Sequence, residues 1–246
     1  MKLLIDIGNT NCSIFVASEK KIRKKYFIHT GKKDVQPSSF RRLLGPDLRK
    51  IDSILIVSVV PKFLSIIRKS LRTAIPGVSV RVVGKDVKVP IKNKYKKPGE
   101  VGQDRLVTTF AASRIYGDPV LTIDFGTAVT MDYVNKKGEY EGGLIFPGLR
   151  LAMGSLSREA ALLPKIELRS TRDLIGRDTV SSMNNGILYG YASMCDGLIE
   201  RFRKKYGKKL KVVATGGDAA LVSKYSRYIK TVSPDLIPTG LFILSR

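Results

Sequence analysis

The sequence has few of the residues on which several common kinds of site depend. It contains one histidine and two cysteines in 246 residues. Two cysteines cannot support a disulfide framework, and the single histidine has no partner motif that would support a zinc site or a serine–histidine–aspartate triad. Cys12 and Cys195 lie on apolar segments and should be core residues, and His29, in a polar stretch, should lie at the surface. Two free thiols suit a reducing compartment, so we expect a cytoplasmic protein.

Long apolar runs are also missing. No stretch approaches the roughly 20 apolar residues that a membrane span needs. The N-terminal apolar run is interrupted by Asp6 and Asn9 and carries one positive charge, which is not the pattern of a signal peptide. Hydrophobic residues still make up 43% of the chain, which is enough for a sizeable core.

Acidic residues are scarce relative to basic ones, with 21 against 44 and a formal net charge of +23. Such a charge favours anionic partners in general, from nucleotides and acidic metabolites to nucleic acid or a membrane surface. It identifies none of them, and a lysine-rich genome gives the same excess. The basic clusters at residues 20–25, 92–97 and 201–211 are therefore predicted to be solvated faces.

Local patterns predict alternating strands and helices. Apolar runs and alternation indicate strands at residues 3–7, 13–16, 53–60, 78–83, 142–146 and 210–214. Helical spacing indicates helices at residues 63–71, 104–116, 184–206 and 218–228, and residues 90–99 should form a basic loop.

One pattern occurs twice. An apolar strand leads into Asp6-Ile7-Gly8, and another leads into Asp124-Phe125-Gly126, each followed by small polar residues and a second strand. A single copy is most simply a β-turn with an Asx hydrogen bond. Two copies 118 residues apart, close to half the chain, indicate a duplicated α/β unit. We predict an N-terminal lobe over residues 1–115 and a C-terminal lobe over residues 116–246.

These paired turns have the chemistry of a phosphate site. Glycine-rich turns expose backbone N–H donors, and a carboxylate at a strand end can hold a hydrated cation such as Mg²⁺. Thr10 and Thr127 add hydroxyl donors. Gly216-Gly217 is a third such turn, suited to a base or ribose, although alone it is typical of a plain strand-to-helix turn. Together the turns predict a nucleotide seated between two lobes.

Gly102-Gln103-Asp104-Arg105 opens a helix after the basic loop. An acid in the first helical turn is expected from the helix dipole alone. In a phosphotransferase, Asp104 would accept the proton of the attacking hydroxyl, which needs little base strength because the transition state is loose. Arg105 would stabilise developing charge or bind an acidic substrate.

An ordered set of motifs over nearly the whole chain resembles type III pantothenate kinases, of the acetate/sugar kinase–Hsp70–actin superfamily. The matching segments are Asp6-Ile7-Gly8-Asn9-Thr10, Ser58-Val59-Val60-Pro61, Gly102-Gln103-Asp104-Arg105, Asp124-Phe125-Gly126-Thr127-Ala128, Gly142-Gly143 with Pro147-Gly148, Ile175-Gly176-Arg177-Asp178-Thr179, and Thr215-Gly216-Gly217-Asp218-Ala219. The resemblance implies two duplicated ribonuclease H-like (actin-like ATPase) domains with a nucleotide cleft between them. It also implies ATP-dependent phosphorylation of pantothenate, the first step of coenzyme A biosynthesis.

The resemblance further implies a role for each matching residue. Asp104 would be the proton acceptor, and Asp124 would bind the monovalent cation (potassium or ammonium) that the family uses beside Mg²⁺. From the chemistry of a carboxylate at a strand end, Asp6 is predicted to hold Mg²⁺ through the phosphates. The pantothenate pocket would be completed in a homodimer. The residues implied to contact ATP are Asp6, Ile7, Gly8, Asn9, Thr10, Asn11, Cys12, Ser13 and Thr127. The residues implied to line the pantothenate pocket are Tyr95, Gly102, Gln103, Asp104, Arg105 and Thr179.

Two positions depart from the family pattern. Gln103 stands where the family usually has alanine, and Lys97 stands where the loop usually has asparagine before proline. Two alternative functions stay open: a nucleic-acid-binding or regulatory protein on the same scaffold, and a kinase of another small hydroxy acid or sugar-like substrate. Nucleic acid is expected to bind only through non-specific charge.

Overall fold

The structure, a computed structural model, describes residues 1–19, 21–30 and 35–246; Lys20, part of the first predicted basic cluster, lies outside them. The chain divides into two units. Unit 1 comprises Met1–Ile91, Lys96–Ala111 and Asp235–Arg246, and unit 2 comprises Lys92–Tyr95 and Ala112–Pro234.

Each unit is built on one sheet. The strands of unit 1 are β1 (Lys2–Ile7), β2 (Asn11–Ala17), β3 (Ile22–His29), β4 (Ser53–Ser58) and β5 (Ser79–Val82). The strands of unit 2 are β6 (Lys92–Asn93), β7 (Val120–Phe125), β8 (Ala128–Val134), β9 (Glu139–Pro147), β10 (Lys211–Thr215) and β11 (Thr231–Val232).

Seven α-helices accompany the sheets among the described residues. They are α1 (Pro37–Leu44), α2 (Pro61–Ala74), α3 (Gln103–Tyr116), α4 (Leu149–Glu159), α5 (Thr179–Tyr206), α6 (Ala219–Val222) and α7 (Leu236–Leu244). Short 3₁₀ helices cover Gly45–Lys50 and Pro98–Glu100. In the part of the chain that the structure describes, no helix is long and apolar enough to cross a membrane.

The two sheets share one strand order, which confirms the predicted duplication. The first sheet runs β3-β2-β1-β4-β5, and the second runs β9-β8-β7-β10-β11 with β6 added beside β9. β1 and β7 each pair antiparallel with the strand that follows and parallel with the strand on the other side. Asp6 and Asp124 therefore occupy equivalent positions, near the carboxyl ends of their central strands.

The central strands are apolar on both faces because both faces are covered. Leu3, Leu4 and Ile5 in β1 are all fully buried. Side chains of one face join a cluster with α1 and α2, which includes Phe40 and Phe63. Side chains of the other face join a second cluster with residues of α3 and α7. Continuous apolar runs, rather than alternation, are typical of such strands.

One prediction near the C-terminal end of the chain was wrong. The helix expected at residues 218–228 is only the single turn of α6. The segment after α6 is held by the carboxylate of the buried Asp196. This carboxylate accepts hydrogen bonds from Ser226 Oγ at 2.5 Å and from the N–H groups of Arg227 and Tyr228 at 2.8 and 3.2 Å. Those N–H groups are therefore directed to a carboxylate rather than to helical carbonyls.

Helix α7 was not predicted at all, although it belongs to unit 1 and completes one face of the first sheet. Leu241 and Phe242 pack there with Leu4 and Val107. Gly240 permits the contact, because a Cβ at this position would lie only 2.7 Å from Val107 O. The predicted loop at residues 90–99 also contains a little regular structure, namely β6 and a 3₁₀ turn.

The cysteines and the histidine lie where the sequence predicted. Cys12 and Cys195 are buried free thiols, and burial raises the pKa of each to about 12. At neutral pH both are therefore protonated and poorly nucleophilic. His29 is exposed at the end of β3.

Candidate active site

The first predicted phosphate turn joins β1 to β2 in unit 1. Gly8 N–H donates to Asn11 O at 3.0 Å, which closes the turn. Thr30 stabilises this turn with two hydrogen bonds. Its Oγ1 donates to Gly8 O at 2.8 Å, and its N–H donates to Thr10 O at 3.0 Å. Asn9, Thr10 and Asn11 are exposed, so the turn presents its backbone and polar side chains to solvent.

Not every predicted ATP residue presents its side chain at this turn. Ile7 and Cys12 face each other across β1 and β2 and are fully buried. They can offer a ligand only backbone groups. Asp6, opposite Ser13 in the same pair of strands, is half-buried, as is Ser13.

The second turn joins β7 to β8 in unit 2, and two other turns support it. Gly126 N–H donates to Ala128 O at 3.1 Å, and Gly126 and Thr127 are exposed. Gly148 N–H donates to Thr127 O at 3.0 Å. A Cβ at Gly148 would lie less than 3.0 Å from the carbonyl oxygens of Gly126 and Thr127, so the backbones make direct contact.

The third turn packs directly on the second. Gly216 has φ +92°, and a Cβ there would lie 2.6 Å from the carbonyl carbon and oxygen of Phe125 and closer still to Asp124 Oδ1. Asp218 N–H donates to Phe125 O at 3.3 Å. The nucleotide-facing role of Gly216 stays a prediction; the structure shows that Gly216 lies against the Asp124 carboxylate. Asp124 and Gly216 are 92 residues apart in the sequence, so no local sequence pattern indicates this contact.

The predicted substrate segment begins α3 in unit 1. The Asp104 carboxylate turns back toward the chain, where Oδ1 accepts a hydrogen bond from Arg105 N–H at 2.8 Å. Gly102 leaves space for it, because a Cβ there would lie less than 3.0 Å from Asp104 Oδ1. Gln103, which stands where the family usually has alanine, packs against another segment of unit 1. Its side chain lies over Gly84, where a Cβ would be 2.6 Å from Gln103 Cδ.

Two further predicted pocket residues belong to unit 2. The Tyr95 ring lies over Gly142, 3.3 Å from where a Cβ would stand. Tyr95 N–H donates to Asn93 Oδ1 at 2.9 Å. Thr179 is the exposed first residue of α5, directly after the cap residue Asp178. Asp178 Oδ1 accepts a hydrogen bond from Ser181 N–H at 2.8 Å, and hydrogen bonding with Ser181 lowers the pKa of Asp178.

Glu139 ties the segment that carries Tyr95 to β9. Its carboxylate lies 2.7 Å from Lys92 Nζ and accepts a hydrogen bond from Asn135 Nδ2 at 3.0 Å. The hydrogen bond from Lys92, followed by that from Asn135, lowers the pKa of Glu139 from 4.5 to about 2.

We expect this attachment to depend on pH. Because the folded pKa is lowered, the ionised Glu139 stabilises the fold fully above pH 4.5, and the contribution is lost as pH falls toward 2. At pH 7, Glu139→Gln should therefore lower the Tm relative to wild type, and the difference should shrink from pH 4.5 downward. Thermal unfolding followed by circular dichroism measures both. The exposed Glu159→Gln is the control, and a Tm difference for Glu139→Gln that is the same at pH 3 and pH 7 would contradict the assignment.

The described residues contain no group of three or more His, Cys, Asp or Glu side chains arranged to hold a metal ion. Each of the two Asp-x-Gly turns instead places one half-buried carboxylate, Asp6 or Asp124, beside exposed backbone. This donor set fits Mg²⁺, which is usually bound through one or two carboxylates together with substrate phosphates.

A family model described as type III pantothenate kinase matches residues 2–201. Among solved structures, a conserved protein from Campylobacter jejuni, provisionally described as a Baf family transcriptional activator, has a TM-score of 0.60. It is 18% identical, with 98% of this chain and 96% of that chain covered. Component A of (R)-2-hydroxyglutaryl-CoA dehydratase from Acidaminococcus fermentans has a TM-score of 0.54 at 15% identity, with 99% and 95% covered.

A third solved structure, from Sinorhizobium meliloti and provisionally described as a 2-dehydro-3-deoxygalactonokinase, has a TM-score of 0.58. It is 10% identical, with 100% of this chain and 98% of that chain covered. At such identities the likeness is one of fold. It confirms the predicted α/β class, and the shared strand order of the two sheets confirms the duplication.

Proposed function

The chain belongs to the type III pantothenate kinase family and is a kinase, and we propose that it transfers the γ-phosphoryl group of ATP to the primary hydroxyl of pantothenate. The product would be 4′-phosphopantothenate, the first intermediate of coenzyme A biosynthesis. The observation that carries the proposal is the pair of Asp-x-Gly turns, which end equivalent central strands in two sheets of the same strand order.

In this proposal ATP is bound mainly by backbone. The exposed residues Asn9 and Thr10 of the first turn offer N–H donors to phosphate oxygens, and Thr127 offers its hydroxyl from the second turn. Asp6 would hold Mg²⁺, which supplies positive charge to the phosphates during transfer. Asp124, seated by Gly216, would hold the monovalent cation.

Pantothenate would be bound by residues of the α3 start together with Tyr95 and Thr179. Arg105 would bind the pantothenate carboxylate, since a guanidinium matches its geometry. In the reaction the hydroxyl oxygen forms a bond to the γ-phosphorus, and the bond from that phosphorus to the β–γ bridging oxygen breaks, releasing ADP. The hydroxyl proton passes to Asp104.

The test is release of ADP by the purified protein with ATP and Mg²⁺. We expect turnover that requires pantothenate and rises with potassium or ammonium. A panel of other hydroxy acids and sugars, assayed in parallel, examines the alternative substrates. If pantothenate gives no turnover under any monovalent cation, the proposal is wrong. If a different hydroxyl compound gives turnover, the kinase assignment stands and the substrate changes.

We also propose a homodimer formed through unit 2. Large apolar side chains are unusually exposed there, with Leu162 at 93%, Ile175 at 76%, Leu174 at 66% and Ile145 at 62%. Exposed apolar surface of this kind is typical of interfaces. Light scattering should give twice the chain mass of 27.2 kDa, and a fully active monomer at micromolar concentration would contradict the proposal. A cytoplasmic location stays a prediction, supported by the two free buried thiols.

A further inference from the structure

Arg150 and Asp218, neither of which is a predicted site residue, form an ion pair. It joins the two turns that support the second phosphate turn. Arg150, in the first turn of α4, places Nη2 3.0 Å from Asp218 Oδ1. The Asp218 side chain is only 8% exposed, whereas that of Arg150 is 70% exposed. A carboxylate withdrawn from water requires a partner, and here Arg150 supplies it from the solvent side.

The ion pair lies beside the second phosphate turn. Asp218 follows Gly216-Gly217, and its N–H donates to Phe125 O, at the base of the second phosphate turn. Arg150 follows Gly148 by two residues, and Gly148 N–H donates to Thr127 O. The ion pair therefore connects two segments, each of which is hydrogen-bonded to the same phosphate turn.

Charge makes this connection relevant to ligand binding. An anion at Thr127 would be repelled by a buried carboxylate that lacks a neutralising partner, because water does not screen such a charge well. We propose that Arg150 is a positioning residue for nucleotide binding: it neutralises the Asp218 carboxylate beside the second phosphate turn. The inference rests on the proposed use of that turn by ATP.

Charge neutralisation by Arg150 is tested by a set of variants assayed for binding of Mg·ATP by calorimetry. Arg150→Met leaves the Asp218 charge uncompensated, so we expect ATP affinity to fall about tenfold. The double variant Arg150→Met/Asp218→Asn removes both charges and should recover to within about threefold of wild type. Asp218→Asn alone keeps the positive charge and should bind ATP at least as well as wild type.

The control is Arg158→Met, in the same helix, whose exposed guanidinium donates a hydrogen bond to Ser155 Oγ. It should bind ATP as wild type does. The inference is overturned if Arg150→Met keeps wild-type affinity or if the double variant stays as weak as Arg150→Met. If Arg150→Met does not fold, a tenfold loss in Asp218→Asn overturns it and retained affinity supports it. A wild-type protein that binds no ATP would instead refute the proposed function.

Discussion

Asp104→Asn is expected to lower kcat about 100-fold or more while leaving the affinities for ATP and pantothenate within about threefold of wild type. A positioned proton acceptor typically contributes 10²–10⁴ to a rate, and the amide is nearly the same size as the carboxylate but cannot accept the hydroxyl proton. The effect should therefore fall on kcat rather than on ground-state binding.

The structure favours this test because the carboxylate position is fixed by local contacts. Asp104 Oδ1 accepts from Arg105 N–H, and the missing side chain of Gly102 leaves it room. An amide oxygen can accept the same hydrogen bond, so the fold should be kept. Steady-state kinetics with both substrates varied, together with calorimetric binding, measures the two effects separately.

Glu100→Gln is a matched control for Asp104→Asn. Glu100 lies four residues earlier, is exposed and pairs with Lys97 at 3.1 Å. Its substitution removes one negative charge near the start of α3 without touching the proposed proton acceptor, and kcat should change less than threefold. Near-normal kcat in Asp104→Asn, or an equal loss in both variants, would show that Asp104 is not the proton acceptor.

Gly216→Ala is expected to abolish measurable turnover and to lower the Tm. The residue has φ +92°, which an alanine adopts only with strain. Its Cβ would also lie 2.6 Å from backbone atoms of Phe125 and against Asp124 Oδ1. Backbone cannot yield as a flexible side chain does, so the second phosphate turn must shift.

The adjacent glycine provides the control. Gly217 has no heavy atom within 4 Å of its Cβ position and no positive φ, so Gly217→Ala should keep the Tm and most of the activity. Tm by differential scanning fluorimetry and ADP release are measured on both proteins. If Gly216→Ala has wild-type Tm and wild-type ADP release, the turn is more adaptable than its contacts indicate, and Asp124 does not depend on it.

Much of the fold was predictable because strands and turns leave local patterns. The apolar runs that become β1, β4 and β7 are continuous because both faces of these strands are covered. The repeated Asp-x-Gly predicted the duplication, which the two strand orders confirm. Helix α5 was predicted from its spacing and from Gly207, which ends it with φ +108°.

The errors share one cause, which is contact between distant segments. Residues 218–228 have helical spacing, but Asp196 takes the hydrogen bonds of Ser226 and the residues after it. Helix α7 has apolar residues on most of its surface, and only its docking beside Val107 explains why Gly240 stands there.

The sequence by itself determined that two Asp-x-Gly turns end two equivalent strands, and that Asp104 and Arg105 open a helix. These features are local, since each depends on neighbouring residues and their periodicity. The tertiary structure decided how the carboxylates are seated. Asp124 lies against Gly216, and Asp218 is paired with Arg150, across 92 and 68 residues of chain. Such contacts depend on which strands become neighbours, and no spacing along one segment records that choice.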